Sequence, residues 1–330
     1  MRHFPHRHLL LSLSAAAALA LAGCGAGPAA DTDADANAGD AGIVVVASTS
    51  VYADVVRAVG GDEVDVQALI DKTSQDPHSY EATAQDKLLL SKADLVVANG
   101  GGYDPFMEVL AADLKLPEAA VLSAVEYSGE AAHAEEAGEE SAEESSPAGD
   151  HAHAHSAFNE HVWYDLHAME AVAGEVAGRL GALRPESSAA FRANAEAFAR
   201  GLEPAEARIE ALAASNAGKR FAMTEPVPYY LLVEAGLEDG TPEGFSEAIE
   251  EGGDVPPLLL KELQDGLAGG EYAVLAYNAQ TSGPQTEAVR QAAVDAGVPV
   301  VDFTETLPEG IDYVSWMNSN VGALEAALAG

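Results

Sequence analysis

Seven histidines follow the single cysteine of this chain, at positions 78, 133, 151, 153, 155, 161 and 167, and none lies beyond His167. A neutral imidazole is a common metal ligand and a general base near neutral pH. Cys24 is the only cysteine, so the chain can form neither an internal disulfide nor a multi-thiolate metal site. A cation centre drawing on both halves must therefore take carboxylates or other oxygen donors from the second half.

Two histidines stand in stretches that could anchor them. His78 lies in Asp76-Pro77-His78-Ser79-Tyr80, a loop after a strand-like segment ending near Ile70, with Pro77 stiffening its approach and Tyr80 beside it. Ligands of open parallel sheets bind beyond the carboxyl ends of strands, which suits His78; the bland reading is a solvated loop histidine. His161 opens an ordered, aromatic run in Asn159-Glu160-His161-Val162-Trp163-Tyr164-Asp165. Asp165 has two readings, a carboxylate that orients the His161 ring or a helix N-cap. His167 is the rival ligand and reads as a helix-surface residue. His133, His151, His153 and His155 sit among carboxylates in a stretch, residues 126–156, almost free of bulky apolar side chains. That composition reads as an acidic loop, either an auxiliary metal-gathering tract or a solvated linker.

The elements that must position these groups alternate between strand and helix. Short apolar runs at Ile43–Ser48, Glu63–Ile70, Asp94–Asn99 and Ala120–Val125 are separated by helical stretches, which predicts a parallel sheet covered on both faces. After the acidic loop, Phe191, Ala195, Phe198, Leu202, Ala205, Ile209 and Leu212 recur at spacings of 4 and 3 residues, one stripe of a long helix, although Pro204 should bend it. The alternation then resumes, with strands expected at Arg220–Thr224, Tyr272–Tyr277 and Val298–Phe303. The expected architecture is α/β, two lobes with mostly parallel sheets flanked by helices and joined by a spine helix. The expected boundaries are residues 43–183 for the first lobe, 184–217 for the spine and 218–330 for the second lobe. Asn278 and Gln280, at the end of a second-lobe strand, should face the cleft between lobes, a favoured place for a small ligand; the alternative is a capped turn.

Composition narrows the classes. A hydrophobic content of 48% is that of a globular protein, while 54 Asp+Glu against 16 Lys+Arg argues against nucleic acid, whose phosphates need clustered cations. Residues 1–23 read as an export signal: basic Arg2 and Arg7, then an apolar run from Leu9 to Ala22, too short to span a bilayer. Leu21-Ala22-Gly23-Cys24 resembles the bacterial lipobox, which implies a lipid on Cys24, a membrane anchor and a polar tether over residues 24–42.

Asp-Pro-His-Ser-Tyr-Glu before a helix, then Glu-His-Val-Trp-Tyr-Asp after a histidine-bearing loop, resembles the zinc- and manganese-binding solute-binding proteins of ABC importers. The similarity runs from about Ile43 to Leu328. It implies His78 and His161 as first-lobe ligands. Phe221-Ala222-Met223-Thr224-Glu225 matches the third ligand segment and implies Glu225. Phe303-Thr304-Glu305 matches a Phe-Thr-Asp segment and implies Glu305, one methylene longer than the family's aspartate; Asn278 or Gln280 could replace it as an oxygen donor. The bland reading makes both glutamates strand-end surface carboxylates. The implied cargo is Zn2+, with Mn2+ as the alternative, and the implied partners are a permease and its ATPase, for a monomeric, non-enzymatic carrier on the extracytoplasmic face. Two other classes stay open. A zinc metallohydrolase would use His78, His161 and one carboxylate, although no His-Glu-x-x-His or Gly-x-Ser-x-Gly is present. A lipid-anchored adhesin would bind its partner without His78 or His161.

Overall fold

The computed structural model describes residues 42–129 and 158–330. The leader, Cys24, and His133, His151, His153 and His155 lie outside the described residues. In the first lobe, β1 (Ile43–Thr49), β2 (Val64–Ile70), β3 (Leu95–Ala98) and β4 (Val121–Ser123) form a parallel sheet in the order β2-β1-β3-β4. The run Ile43-Val44-Val45-Val46-Ala47 is almost wholly buried, as a central strand covered on both faces requires. Helices α1 (Ser50–Gly60), α2 (Ala84–Leu90) and α3 (Pro105–Leu114) supply the covering layers on this side of the chain. The strand expected over Ala120–Val125 is shorter, because a 3-10 turn over Ala124–Tyr127 takes its end; order thus continues past Glu126, where the acidic loop was expected to begin.

Two long helices follow, α4 (Leu166–Leu183) and α5 (Ser188–Asn216). The spine helix α5 contains Pro204 and buries the expected stripe from Phe191 to Ile209, with Leu212 partly buried. A proline inside a helix costs about 3 kcal/mol, and burying one large apolar side chain returns about 1.5–3 kcal/mol. Phe191, Phe198, Leu202 and Ile209 together outweigh the proline, and the helix continues through it.

The second lobe repeats the first. Strands β5 (Arg220–Met223), β6 (Glu238–Asp239), β7 (Val274–Asn278) and β8 (Val300–Phe303) form a parallel sheet in the order β6-β5-β7-β8, the same winding as β2-β1-β3-β4. Helices α6 (Tyr229–Glu234), α7 (Phe245–Glu250), α8 (Pro257–Gly269), α9 (Pro284–Ala296) and α10 (Tyr313–Leu328) connect and cover these strands. The sequence shows no repeat to match this symmetry, and it left β6 and α7 unassigned, since two and six residues are too short to carry a period.

One continuous apolar core joins the inner face of the first sheet, α1, α4, α5, the inner face of the second sheet and α10. Smaller clusters lie on the outer face of each sheet, around Leu90 and Met107 in the first lobe and around Phe245 and Leu263 in the second. Among the described residues no helix is long and apolar enough to cross a membrane.

Candidate metal centre

Both sheets offer the carboxyl ends of their strands to one cleft. His78 arrives on the loop after β2, where its backbone N–H donates to Asp76 Oδ1 at 2.9 Å, a turn that Pro77 helps to fix. His161 precedes a 3-10 turn over Val162–Tyr164 and is fully buried. From the second lobe, Glu225 stands two residues beyond β5, Asn278 ends β7, and Glu305 stands two residues beyond β8. All three are buried, Glu305 completely.

The two imidazole rings lie 5.8 Å apart and are walled by aromatics, with Tyr103 edge-on to His78 at 5.0 Å and Trp163 edge-on to His161 at 5.0 Å. Tyr103 is brought there by Gly100, Gly101 and Gly102, all at positive φ (79°, 67° and 102°). A Cβ on Gly100 would meet Ser123 Oγ at 2.1 Å, so only glycine fits that turn. Asp104 closes it by accepting from the backbone N–H of Asn99 and of Gly100.

The protonation of His161 follows from its neighbour. Asn159 Nδ2 donates to the carbonyl of Pro226 at 2.8 Å, which orients the Asn159 amide and leaves Oδ1 facing His161. That oxygen accepts from the His161 backbone N–H at 3.0 Å and lies 2.6 Å from Nδ1. An amide oxygen can only accept, so Nδ1 carries the hydrogen and Nε2 keeps its lone pair. Nε2 has no hydrogen-bond partner, and neither has His78 Nε2. Burial first, and then the nearby His78, hold the His161 pKa well below the usual imidazole value, so its lone pair stays available in mild acid.

Asn278 organises the second-lobe carboxylates. Its Nδ2 donates to Glu225 Oε2 and to Glu305 Oε1, both at 2.8 Å, while its Oδ1 accepts from the Gln280 backbone N–H. Glu305 Oε2 accepts from the Tyr103 hydroxyl at 3.2 Å and lies 3.8 Å from His78 Nε2. Glu225 Oε1 is buried without a partner. Burial raises the Glu225 pKa to about 8, with the Glu305 charge adding to it, and burial likewise raises that of Glu305.

A further carboxylate, which the sequence did not single out, stands against both imidazoles. Glu250 Oε1 lies 3.4 Å from His161 Nε2 and 3.8 Å from His78 Nε2. Ligand atoms of His78, His161 and Glu250 all fall within 4.8 Å of one another. Burial raises the Glu250 pKa to about 9, with Glu160, Glu225 and Glu305 reinforcing the rise. Glu305 and Glu225 stand outside that trio: Glu305 Oε2 comes to 3.8 Å from His78 Nε2, and Asn278 links Glu225 to Glu305.

Other expectations need correction. Tyr80 donates its hydroxyl to Asp86 Oδ2 at 2.9 Å and packs on Phe106, away from the imidazoles; Tyr103 occupies the place expected for it. Asp165 caps α4 by accepting from the Ala168 N–H, and Asn159 is the group that meets the His161 ring. Neither amide offers an oxygen to an ion. Asn278 presents its NH2 to the carboxylates, and Gln280 Oε1 already accepts from the Glu305 N–H, the Thr306 N–H and the Thr306 hydroxyl. Gln280 instead bridges the lobes, Nε2 donating to the Gln75 carbonyl. His167 lies on the surface, its ring nitrogens 3.6–3.9 Å from carboxylate oxygens of Glu170, Glu206 and Glu234.

Comparison with known proteins identifies the family and the fold. The manganese ABC transporter substrate-binding lipoprotein PsaA of Streptococcus pneumoniae is 24% identical over 311 residues, 86% of this chain and 89% of PsaA. The iron ABC transporter substrate-binding lipoprotein MtsA of Streptococcus pyogenes is 24% identical over 86% of this chain and 88% of its own length. The periplasmic zinc-binding protein TroA from Treponema pallidum superposes with a TM-score of 0.67 at 22% identity, covering 87% of this chain and 99% of TroA, and shares the two-lobed fold. Residues 45–327 match the ZnuA family, the periplasmic component A of the zinc-uptake complex, and the chain belongs to that family.

Proposed function

We propose that this chain is the solute-binding component of an ABC importer and that its cargo is a single divalent transition-metal ion. His78 and His161 on one lobe and Glu225 and Glu305 on the other hold the ion. The observation that carries the reading is the pair of partnerless Nε2 atoms facing buried carboxylate oxygens. Carboxylates gathered in a buried cleft are poorly solvated and repel one another once ionised, an arrangement that a dication stabilises.

The mechanism follows from where the groups sit. With the lobes apart, the neutral imidazoles meet the hydrated ion first. Closure brings the second-lobe carboxylates, whose two formal charges balance the dication. Closure also makes the bonds between lobes seen here: Gln280 to the Gln75 carbonyl, Asn159 to the Pro226 carbonyl, and the Tyr164 hydroxyl to the Thr304 carbonyl. The permease and ATPase of such an importer would read the closed form. No catalytic step enters, and the carrier acts as a monomer held at the extracytoplasmic face by a lipid on Cys24.

The names of the relatives span manganese, iron and zinc. Two imidazoles with two carboxylates suit zinc, the ion favoured by the histidine-bearing loop, and with bidentate carboxylates suit manganese as well. Native mass spectrometry with elemental analysis tests the reading on the wild type, His78→Ala and a variant lacking residues 130–156. One bound ion in the wild type and the loop variant, lost in His78→Ala, supports it. An ion retained in His78→Ala sinks the assignment. Loss of fatty-acid labelling in Cys24→Ala tests the anchor.

A further inference from the structure

The sequence reading of the site stops at four ligands, yet the carboxylate nearest both imidazoles belongs to none of them. We propose that Glu250 is a fifth ligand of the same ion, and that it makes the site select an oxygen-preferring cation of the Mn2+ and Fe2+ class over zinc. The inference rests on the cargo reading above and extends it to the choice of ion.

Four observations converge on it. Glu250 Oε1 is closer to His161 Nε2, at 3.4 Å, than any other carboxylate is to either imidazole among the ion-pair distances of this cluster. These distances exceed a hydrogen bond and leave Oε1 and both Nε2 atoms unpartnered. His161 is fully buried, and its unpartnered lone pair faces Glu250. Finally, the backbone delivers Glu250 there by design: it is the last residue of the six-residue helix α7, bracketed by Gly244 and Gly252 at φ 81° and 68°, with Phe245 seated in the outer core. The buried phenyl ring pins one end of the helix, and the other end carries the carboxylate over the imidazoles.

The donor count decides the metal class. His78 Nε2, His161 Nε2 and Glu250 Oε1 lie within 4.8 Å of one another, Glu305 Oε2 stands 3.8 Å from His78 Nε2, and Glu225 Oε1 is buried without a partner, so that with the second-lobe glutamates drawn in the site offers two nitrogens and three oxygens. Zinc in closed protein sites is almost always four-coordinate and tetrahedral. Manganese and iron(II) accept higher coordination numbers and oxygen-rich shells. A third carboxylate also leaves the loaded site one formal charge negative, which an ion with a strong preference for charged oxygen tolerates best.

Glu250→Gln is the test, with Co2+ as an optical probe and Mn2+ and Zn2+ titrated separately. Glu243→Gln, an exposed position of the same segment, controls for loss of charge alone. The wild type should give the weak d–d absorption of a five- or six-coordinate cobalt ion, and Glu250→Gln the stronger band of a four-coordinate one. Mn2+ affinity should fall about 10- to 100-fold and Zn2+ affinity much less, so that the Mn2+/Zn2+ affinity ratio drops by about the same factor. Glu243→Gln should match the wild type. An unchanged cobalt spectrum together with an unchanged Mn2+/Zn2+ ratio in folded Glu250→Gln overturns the role of Glu250 and leaves the four-ligand reading standing. A wild type that takes up none of the three ions overturns that reading itself.

Discussion

Asn159 Oδ1 and His161 Nδ1 lie 2.6 Å apart, and this contact sets which ring nitrogen faces the cleft. The same amide reaches the Pro226 carbonyl, next to Glu225, so one side chain aligns a first-lobe imidazole with a second-lobe loop. Removing such an orienting partner typically lowers metal affinity 10- to 100-fold. Asn159→Ala should do so in a competition titration with a chelating dye. Asp165→Ala, which removes only a helix cap, should cost about 1 kcal/mol of stability and leave affinity alone. Equal affinity losses in both would remove Asn159 from its orienting role.

Stability of the metal-free protein should depend on pH in a direction fixed by the buried carboxyls. Burial pushes the Glu225 and Glu250 carboxyls up to about 8 and about 9, against 4.5 for an ordinary glutamate. Between these limits the folded chain holds more protons than the unfolded one, so stability falls as pH rises. His161, its pKa depressed by burial, acts in the opposite sense only below the ordinary value of 6.5. Above 6.5 the carboxyls act alone. Thermal melts of chelator-treated protein should therefore show Tm falling from pH 6.5 to 9, and a flat or rising Tm would contradict the burial of these groups.

Loading an ion should expel those protons. With burial pushing them up to about 8 and about 9, the Glu225 and Glu250 carboxyls should be largely protonated near pH 7 in the metal-free site and should ionise around a cation. Calorimetric titrations in two buffers of different ionisation enthalpy should yield about two protons released per ion at pH 7. Release near zero would mean that the carboxylates are already charged before the ion arrives.

Asn278 is the next point of leverage. Its NH2 serves Glu225 and Glu305 together, and Asn278→Leu would leave both buried oxygens with fewer donors. A lost hydrogen bond to a buried polar group costs about 1–3 kcal/mol. Denaturant unfolding of the metal-free variant should lose that much, and saturating Mn2+ should restore part of it by binding the folded state alone.

Much of the architecture was legible because it repeats in simple periods. The apolar runs of β1 and β3 and the long stripe of α5 each carry enough residues to declare themselves. His78 and His161 were legible as well, one placed beyond a strand end and one opening an aromatic run. The remainder depended on contacts between residues far apart in the chain. Tyr80 neighbours His78 in sequence and turns away to Asp86, whereas Tyr103 reaches Glu305 across 202 positions. Glu250 is one of four glutamates between positions 243 and 251, and no spacing rule separates it from Glu243, Glu247 or Glu251. Only the turn of a two-turn helix and the seat of Phe245 choose among them. Asn159 opens the motif around His161, but its role depends on the distant Pro226 carbonyl, which fixes the way its amide points.

The inner apolar layer runs unbroken from the first sheet through α5 into the second, and neither the His78 loop nor α7 contributes a side chain to it. A wide gape would expose that shared layer to water at about 25 cal/mol for each Å2. Displacing a loop and one short helix at the rim exposes far less. Release of the captured ion should thus need only a slight parting of the lobes at the cleft's lip, led by the His78 loop and α7, while the shared layer stays sealed.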